Sequence, residues 1–226
     1  MRRDFVLGVD LDGVCGDYTA AFRAVVAEDR GIDPASLPED RSWDFREWGI
    51  ETPAEFDRLH KRAVLDHRIF REMPAFPGAA EALWRLSDAG VWIRIITHRL
   101  FTNWGHATAV ADTVAWLDHH GIPYRDICFL GAKPEVEAHC YVDDAAHNVE
   151  ALRAAGNHVI VFDAPYNRAV DGPRARTWPE VEALVLERAA SLGFVLQAPL
   201  PGLDEGAARL IRHLGLEPPE GTTTRP

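Results

Sequence analysis

Cysteine is scarce: Cys15, Cys128 and Cys140 are the only three in 226 residues. An odd number at spacings that match no zinc-ligand pattern points to neither a disulfide framework nor a structural zinc. Cys128 and Cys140 lie in apolar runs and are expected to be buried. Positive charge is also short. Lys and Arg total 24 against 35 Asp and Glu, a formal net charge of -11. That balance argues against nucleic acid or an anionic membrane as the main partner. A small anionic ligand is still compatible with it, because a divalent metal reverses the local sign. No apolar run is long enough to span a membrane, no signal-peptide pattern fits the start, and the ten histidines show no metal-ligand spacing. A reducing, cytoplasmic setting is the expectation. No internal repeat is present.

What the chain does contain is an ordinary globular composition, 47% hydrophobic and 26% charged, and one unusual stretch. Val6-Leu7-Gly8-Val9 reads as a buried strand, and it runs into Asp10-Leu11-Asp12-Gly13-Val14. Two carboxylates at a strand exit repel each other and raise a pKa unless a cation or a hydrogen-bond network offsets them. From residue 17 to about 30 the pattern turns helical, with Tyr18, Phe22, Val25 and Val26 on one face. Residues 36–50 are irregular and hold Trp43, Phe45 and Trp48; Thr52-Pro53-Ala54-Glu55 is a capping-box signature opening another helix. No convincing strand occurs between residues 17 and 73, so that region is expected to be a helical insert after the first strand.

A regular alternation follows. Helical segments at 79–89, 103–120 and 145–155 each meet a glycine, and apolar runs at 91–97, 127–130, 139–142 and 159–162 follow as strands. Strands alternating with glycine-terminated helices predict a doubly wound, parallel, Rossmann-like α/β sheet. Thr177-Trp178-Pro179-Glu180 opens a last core helix. The expected division is a core of residues 1–16 and 74–194, a helical cap of residues 17–73, and a partly disordered C-terminal extension from 195 to 226. Within the extension, Leu203, Ala207, Leu210, Ile211 and Leu214 share one face of a helix. Packing on the domain is its expected use, with a homodimer contact as the other.

In open parallel sheets, ligands bind beyond the carboxyl ends of the strands. The first strand ends at Asp10 and Asp12, the second at Thr97, the third is followed by Lys133, and the fourth ends at Asp143 and Asp144. Four carboxylates, a hydroxyl and a lysine should therefore converge. Carboxylates suit a hard cation such as Mg²⁺, while Thr97 and Lys133 suit a phosphoryl group. An aspartate near such a cation is a competent nucleophile toward phosphorus, and a second one can act as general acid and base. A lone Asp-x-Asp would be weak evidence, since it also occurs in glycosyltransferase metal sites and ordinary turns; the register of all four segments carries the case.

This set resembles the four motifs of the haloacid dehalogenase superfamily, in order and at strand ends. The resemblance implies Asp10 as nucleophile and Asp12 as acid/base. It implies Mg²⁺ bound by Asp10, the backbone carbonyl of Asp12, and Asp143 or Asp144, with Thr97 and Lys133 holding phosphate. An acid at the second position of the first motif resembles the phosphatase and mutase branches. A narrower resemblance is to the 5'(3')-deoxyribonucleotidase-like family. It rests on Asp10 through Tyr18 with Asp17, on Phe162-Asp163-Ala164-Pro165-Tyr166-Asn167-Arg168, and on Thr177-Trp178-Pro179-Glu180. It implies hydrolysis of (deoxy)nucleoside monophosphates, with a sugar phosphate or phosphoglycolate as the alternative substrate and a non-catalytic binding module as the alternative class. Thr97-His98-Arg99 departs from that family, where a small residue is expected after the threonine. His98 and Arg99 are accordingly candidates to reach phosphate, and Trp43 and Phe45 to contact substrate; core packing is the rival use of both aromatics. Asp17 fits a helix N-cap as well as a leaving-group contact, and Asn148 fits solvent as well as the metal's surroundings.

Overall fold

The computed structural model describes residues 4–197. Its apolar runs form β1 (Phe5–Val9), β2 (Val91–Thr97), β3 (Asp126–Phe129), β4 (Cys140–Asp143) and β5 (Val159–Phe162), and a short sixth strand, β6 (Arg174–Ala175), follows. They pair in parallel in the order β3-β2-β1-β4-β5-β6. The sixth strand is too short to leave a periodicity in the sequence; it is held by Val161 N–H donating to Pro173 O and Asp163 N–H to Ala175 O, both 2.8 Å. The chain works outward from β1 to β3, then returns to β4 on the other side of β1. The carboxyl ends of β1 and β4 therefore flank the switch point of the sheet, where a crevice opens.

Helices α1 (Tyr18–Arg30), α2 (Pro53–Leu65) and α3 (Ile69–Glu72) follow β1, and α4 (Ala79–Asp88) leads into β2. Then come α5 (His106–His119), α6 (Ala146–Ala154) and α7 (Trp178–Ser191). Both faces of the sheet are covered, and neighbouring strand residues divide between them. Ile95, Val142 and Ile160 join Leu83 and Leu86 of α4 and Val181 and Val185 of α7 in one apolar cluster. Ile96, Tyr141 and Val161 join Val149 and Leu152 of α6 in the other. Gly8 in the central strand has a packing reason: a Cβ there would lie 2.7 Å from Ile96 Cδ1 and 2.9 Å from Tyr141 Cδ1.

The α1–α3 segment leaves and re-enters the sheet through a pinned neck. Asp17 N–H donates to Pro74 O and Phe76 N–H to Cys15 O, both at 2.8 Å. The indole of Trp178 donates to Val14 O at 3.1 Å and that of Trp116 to Met73 O at 2.7 Å. Asp17 turns out to be the N-cap of α1, its Oδ1 accepting from Ala20 N–H at 2.8 Å. The irregular stretch before α2 is organised by rings. Phe45 lies 5.1 Å from Phe22 and 4.9 Å from Trp48, and Trp48 is buried, donating to Pro38 O at 2.9 Å. Cys15 and Cys140 are buried; Cys128 is only half-buried, because β3 is an edge strand.

The chain after α7 returns to the amino-terminal edge of the sheet. Phe194 packs on Phe5 and His139 at 5.3 and 4.9 Å, and Gln197 N–H donates to Ala89 O at 2.9 Å. The amphipathic helix expected from Leu203 to Leu214 lies outside the described residues.

Candidate active site

Every strand that carries a motif residue delivers it to the same edge. Asp10 extends β1 by one residue, its N–H donating to Val142 O of β4 at 3.1 Å. Lys133 follows β3, in a short 3-10 turn over 133–135. Its ammonium lies 2.7 Å from Asp10 Oδ1 and 2.6 Å from Asp143 Oδ2. Burial alone would pull the Lys133 ammonium toward its neutral form, but Asp10 and Asp143 together raise its pKa. Asp143 Oδ1 also accepts from Ala145 N–H at 3.0 Å and from Asn148 Nδ2 at 3.2 Å. Asn148 is thus a partner of the acidic group and not a solvent-facing residue.

Asp10, Asp143 and Asp144 are all buried, and each brings a carboxylate oxygen within 4.8 Å of the others. Burial pushes the Asp10 carboxyl up to about 7; Lys133 opposes the rise, and Asp143 and Asp12 add to it. Asp144 is driven up by burial and then by Asp10 and Asp143. The Tyr166 hydroxyl donates to Asp144 Oδ2, while Asp144 Oδ1 is buried with no partner. Three acids against one lysine, with one oxygen left over, is a donor set that a hard divalent cation completes. Gly13 makes room for it. Its φ is +86°, and a Cβ would stand 2.2 Å from Asp144 Oδ2 and 2.9 Å from the Tyr166 hydroxyl.

Asp12 projects elsewhere. Its side chain is outside the acidic group and is clamped by Arg99, Nε to Oδ2 at 3.0 Å and Nη2 to Oδ1 at 2.7 Å. Arg99 is buried, its Nη1 donates to Thr113 Oγ1 at 2.9 Å, and its guanidinium lies 4.3 Å from the centroid of Phe70. All three guanidinium nitrogens are engaged, two of them with Asp12, and Arg99 also borders the cavity into which this edge opens. Thr97 is buried at the end of β2, and its hydroxyl is 3.4 Å from Arg99 N–H. His98 has a buried Nε2 without a partner, and burial followed by Lys133 lowers its pKa.

The edge opens into a cavity of about 640 Å³. Asp10, Asp12, Gly13, His98, Arg99 and Asp144 form its floor, while Tyr18, Arg41, Trp43, Phe45, Phe56, His60 and Phe70 belong to the α1–α3 segment above. Trp43 is half exposed, 51%, with its ring 5.3 Å from Tyr166 and 5.2 Å from His147. Phe45 is buried among rings and also borders the cavity. Its φ of 58° is unusual for a side chain of that size. His60 stacks on Phe56 at 5.5 Å and meets the Tyr18 hydroxyl at 2.9 Å. Sequence reasoning missed Arg41, His60 and Phe56. None sits in a motif: Arg41 lies in the irregular stretch and Phe56 and His60 on α2, and only the tertiary fold brings them to the cavity.

The sheet order, with motif groups at the carboxyl ends of its strands, is the fold of haloacid dehalogenase-like proteins. A conserved haloacid dehalogenase-like protein of unknown function from Agrobacterium tumefaciens superposes with a TM-score of 0.55 at 17% identity, over 83% of this chain and all of that one, 100%. The chain belongs to the family "5' nucleotidase, deoxy (Pyrimidine), cytosolic type C protein", whose profile matches residues 4–191. It is 46% identical over 186 residues to a "Putative 5'(3')-deoxyribonucleotidase" of Chlorobaculum tepidum, covering 81% of this chain and 91% of that protein. A protein of the same description from Bordetella pertussis is 30% identical, covering 80% and 96%.

Proposed function

We propose that this chain is a Mg²⁺-dependent 5'(3')-deoxyribonucleotidase that works in the cytoplasm through an aspartyl-phosphate on Asp10. The observation that carries this reading is a buried Asp10–Lys133–Asp143–Asp144 group opening into a cavity with aromatic walls. The acids suit phosphoryl transfer, and the rings suit a nucleoside better than a sugar or a glycolate.

In the first step the Asp10 carboxylate attacks phosphorus, the bond to the ester oxygen breaks, and Asp12 delivers a proton to that oxygen. In the second, Asp12 takes a proton from water. The water oxygen attacks phosphorus and the bond to Asp10 breaks, releasing inorganic phosphate. Both oxygens of Asp12 are held by Arg99, so reaching the ester oxygen requires at least one of these bonds to open. Lys133 neutralises Asp10 before attack and, with Thr97, holds the phosphoryl oxygens. Mg²⁺ on Asp10, Asp143 and Asp144 supplies further neutralisation of the transferring group when bound. The α1–α3 segment, residues 17–73, acts as the cap that excludes water and selects the leaving group.

A phosphate-release screen tests this, with deoxyribonucleoside and ribonucleoside monophosphates beside sugar phosphates and phosphoglycolate. Preferred turnover of deoxyribonucleotides, abolished by a chelator and restored by Mg²⁺, is the expected result. Equal or faster turnover of sugar phosphates or phosphoglycolate would overturn the nucleotide assignment.

A further inference from the structure

Three arginines border the cavity, and two of them are paired with a carboxylate. Arg99 is paired with Asp12 at 2.7 Å and Arg46 with Asp44 at 2.5 Å. Arg41 differs. It is buried, 5% exposed, yet borders the cavity. Its Nη1 donates to Ser42 O at 2.9 Å and its Nη2 to Thr19 Oγ1 at 2.6 Å, a carbonyl and a hydroxyl. Its Nε is buried with no partner. The guanidinium carbon lies 3.8 Å from the centroid of Phe45 and 4.4 Å from that of Tyr166. A guanidinium stays charged in a protein, and among the described residues no carboxylate forms a contact ion pair with this one, Asp144 and Glu47 acting on it only from farther off; burying it so is costly. Two aromatic rings recover part of that cost, but they do not supply the oxygen acceptors a fork of donors is built to meet.

Its position says which part of a ligand it faces. Tyr166 has its ring against Arg41 and its hydroxyl on Asp144. Arg41 therefore stands one aromatic ring away from the acidic group beside which the phosphate would react. It comes from the α1–α3 segment, whereas the acids and Lys133 come from strand ends. We infer that Arg41 is a specificity-determining residue that binds an oxygen acceptor on the leaving group, a carbonyl of the base or an added anionic oxygen. Trp43, half exposed, borders the same cavity, so a planar group can lie against its ring while Arg41 reads an edge. The inference rests on the phosphatase reading above.

The test compares the wild-type chain with Arg41→Gln and Arg41→Lys, each first shown by thermal melting to be folded. Four phosphate esters are used. Deoxyuridine 5'-monophosphate has base carbonyls, deoxyadenosine 5'-monophosphate has none, deoxyuridine 3',5'-bisphosphate adds an anion, and p-nitrophenyl phosphate has neither sugar nor base. The quantity read is kcat/KM for each nucleotide divided by that for p-nitrophenyl phosphate. Arg41→Gln is expected to lower this ratio by about 10- to 100-fold, the worth of a charged hydrogen bond, and chiefly through KM. Arg41→Lys should restore only part of it, because a point charge lacks the fork. A loss for deoxyuridine but not deoxyadenosine monophosphate assigns the acceptor to the base carbonyl; a loss confined to the bisphosphate assigns it to the added anion. An unchanged ratio in a folded Arg41→Gln chain overturns the inference and leaves the phosphatase reading standing. If the wild-type chain hydrolyses none of the four esters, the phosphatase reading fails. Calorimetric affinity for the same nucleotides then decides for Arg41: weaker binding by Arg41→Gln supports the contact, and equal or undetectable binding in both chains rejects it.

Discussion

At the scale of single residues, the proposed division of labour between Asp10 and Asp12 follows from their different partners. Asp10 faces Lys133 and the other acids, while Asp12 faces Arg99. Arg99 is a positioning residue in this account, fixed by Thr113 and Phe70 so that it fixes Asp12 in turn. Arg99→Lys, which keeps charge without the two-pronged grip, is expected to lower kcat by roughly 10- to 100-fold, with a smaller change in KM. Combining it with Asp12→Asn should add little further loss, and steady-state kinetics of the two single variants and the double variant check this. Gly13 is a second point of tight tolerance. Gly13→Ala places a Cβ against Asp144 in a backbone conformation that disfavours it. A stability loss of about 1–3 kcal/mol in urea titration is expected. The acids, Thr97 and Lys133 were legible in the sequence because each stands where an apolar run stops, and a strand end fixes where a residue lies. The direction taken by Arg99 was not legible: a long side chain two positions beyond Thr97 reaches either phosphate or Asp12, and only Thr113 on α5 and Phe70 on α3 decide between them.

At the scale of elements, the loop after β5 ties the acidic edge to the segment above it. Asn167 is its buried hub. Its Nδ2 donates to Asp144 O at 2.8 Å and Phe162 O at 2.7 Å, and its Oδ1 accepts from Ala164 N–H at 3.1 Å and Arg174 Nη1 at 2.7 Å. Asn167→Ala strips partners from two carbonyls, an amide and an arginine at once. A loss of about 2–4 kcal/mol is expected in chemical unfolding, with weakened catalysis because Asp144 and Tyr166 lose their support. Periodicity and capping residues made most elements readable. The Thr177–Glu180 box forms as expected, each residue's backbone N–H bonded to the other's side chain. The two-residue β6 and the four-residue α3 are too short to show a period. Tertiary pairing alone creates them.

At the scale of the whole molecule, acid stability depends on the ion network joining α1 and α2. Hydrogen bonds from Arg58, aided by Arg62, hold the Asp29 carboxyl down to about 2 from an ordinary 3.8. The folded state therefore binds this proton less readily than the unfolded chain. The stabilisation is complete above the unfolded value and is lost as pH falls from 3.8 toward about 2. Asp29→Asn should be less stable than the wild type at about pH 6, and the difference should shrink below about pH 3; urea titrations at the two pH values check it. The parallel sheet and the helical segment after β1 were readable from the alternation of apolar runs and glycine stops. The cavity was not, since it depends on how residues 31–52 fold back over the strand ends. The central claim, hydrolysis through Asp10, is met most directly by acid-quenching the chain during turnover of a deoxyribonucleoside monophosphate with Mg²⁺ and mapping its peptides by mass spectrometry. The account predicts a phosphoryl group on Asp10 and neither adduct nor phosphate release in Asp10→Asn; phosphate release by Asp10→Asn at the wild-type rate would contradict it.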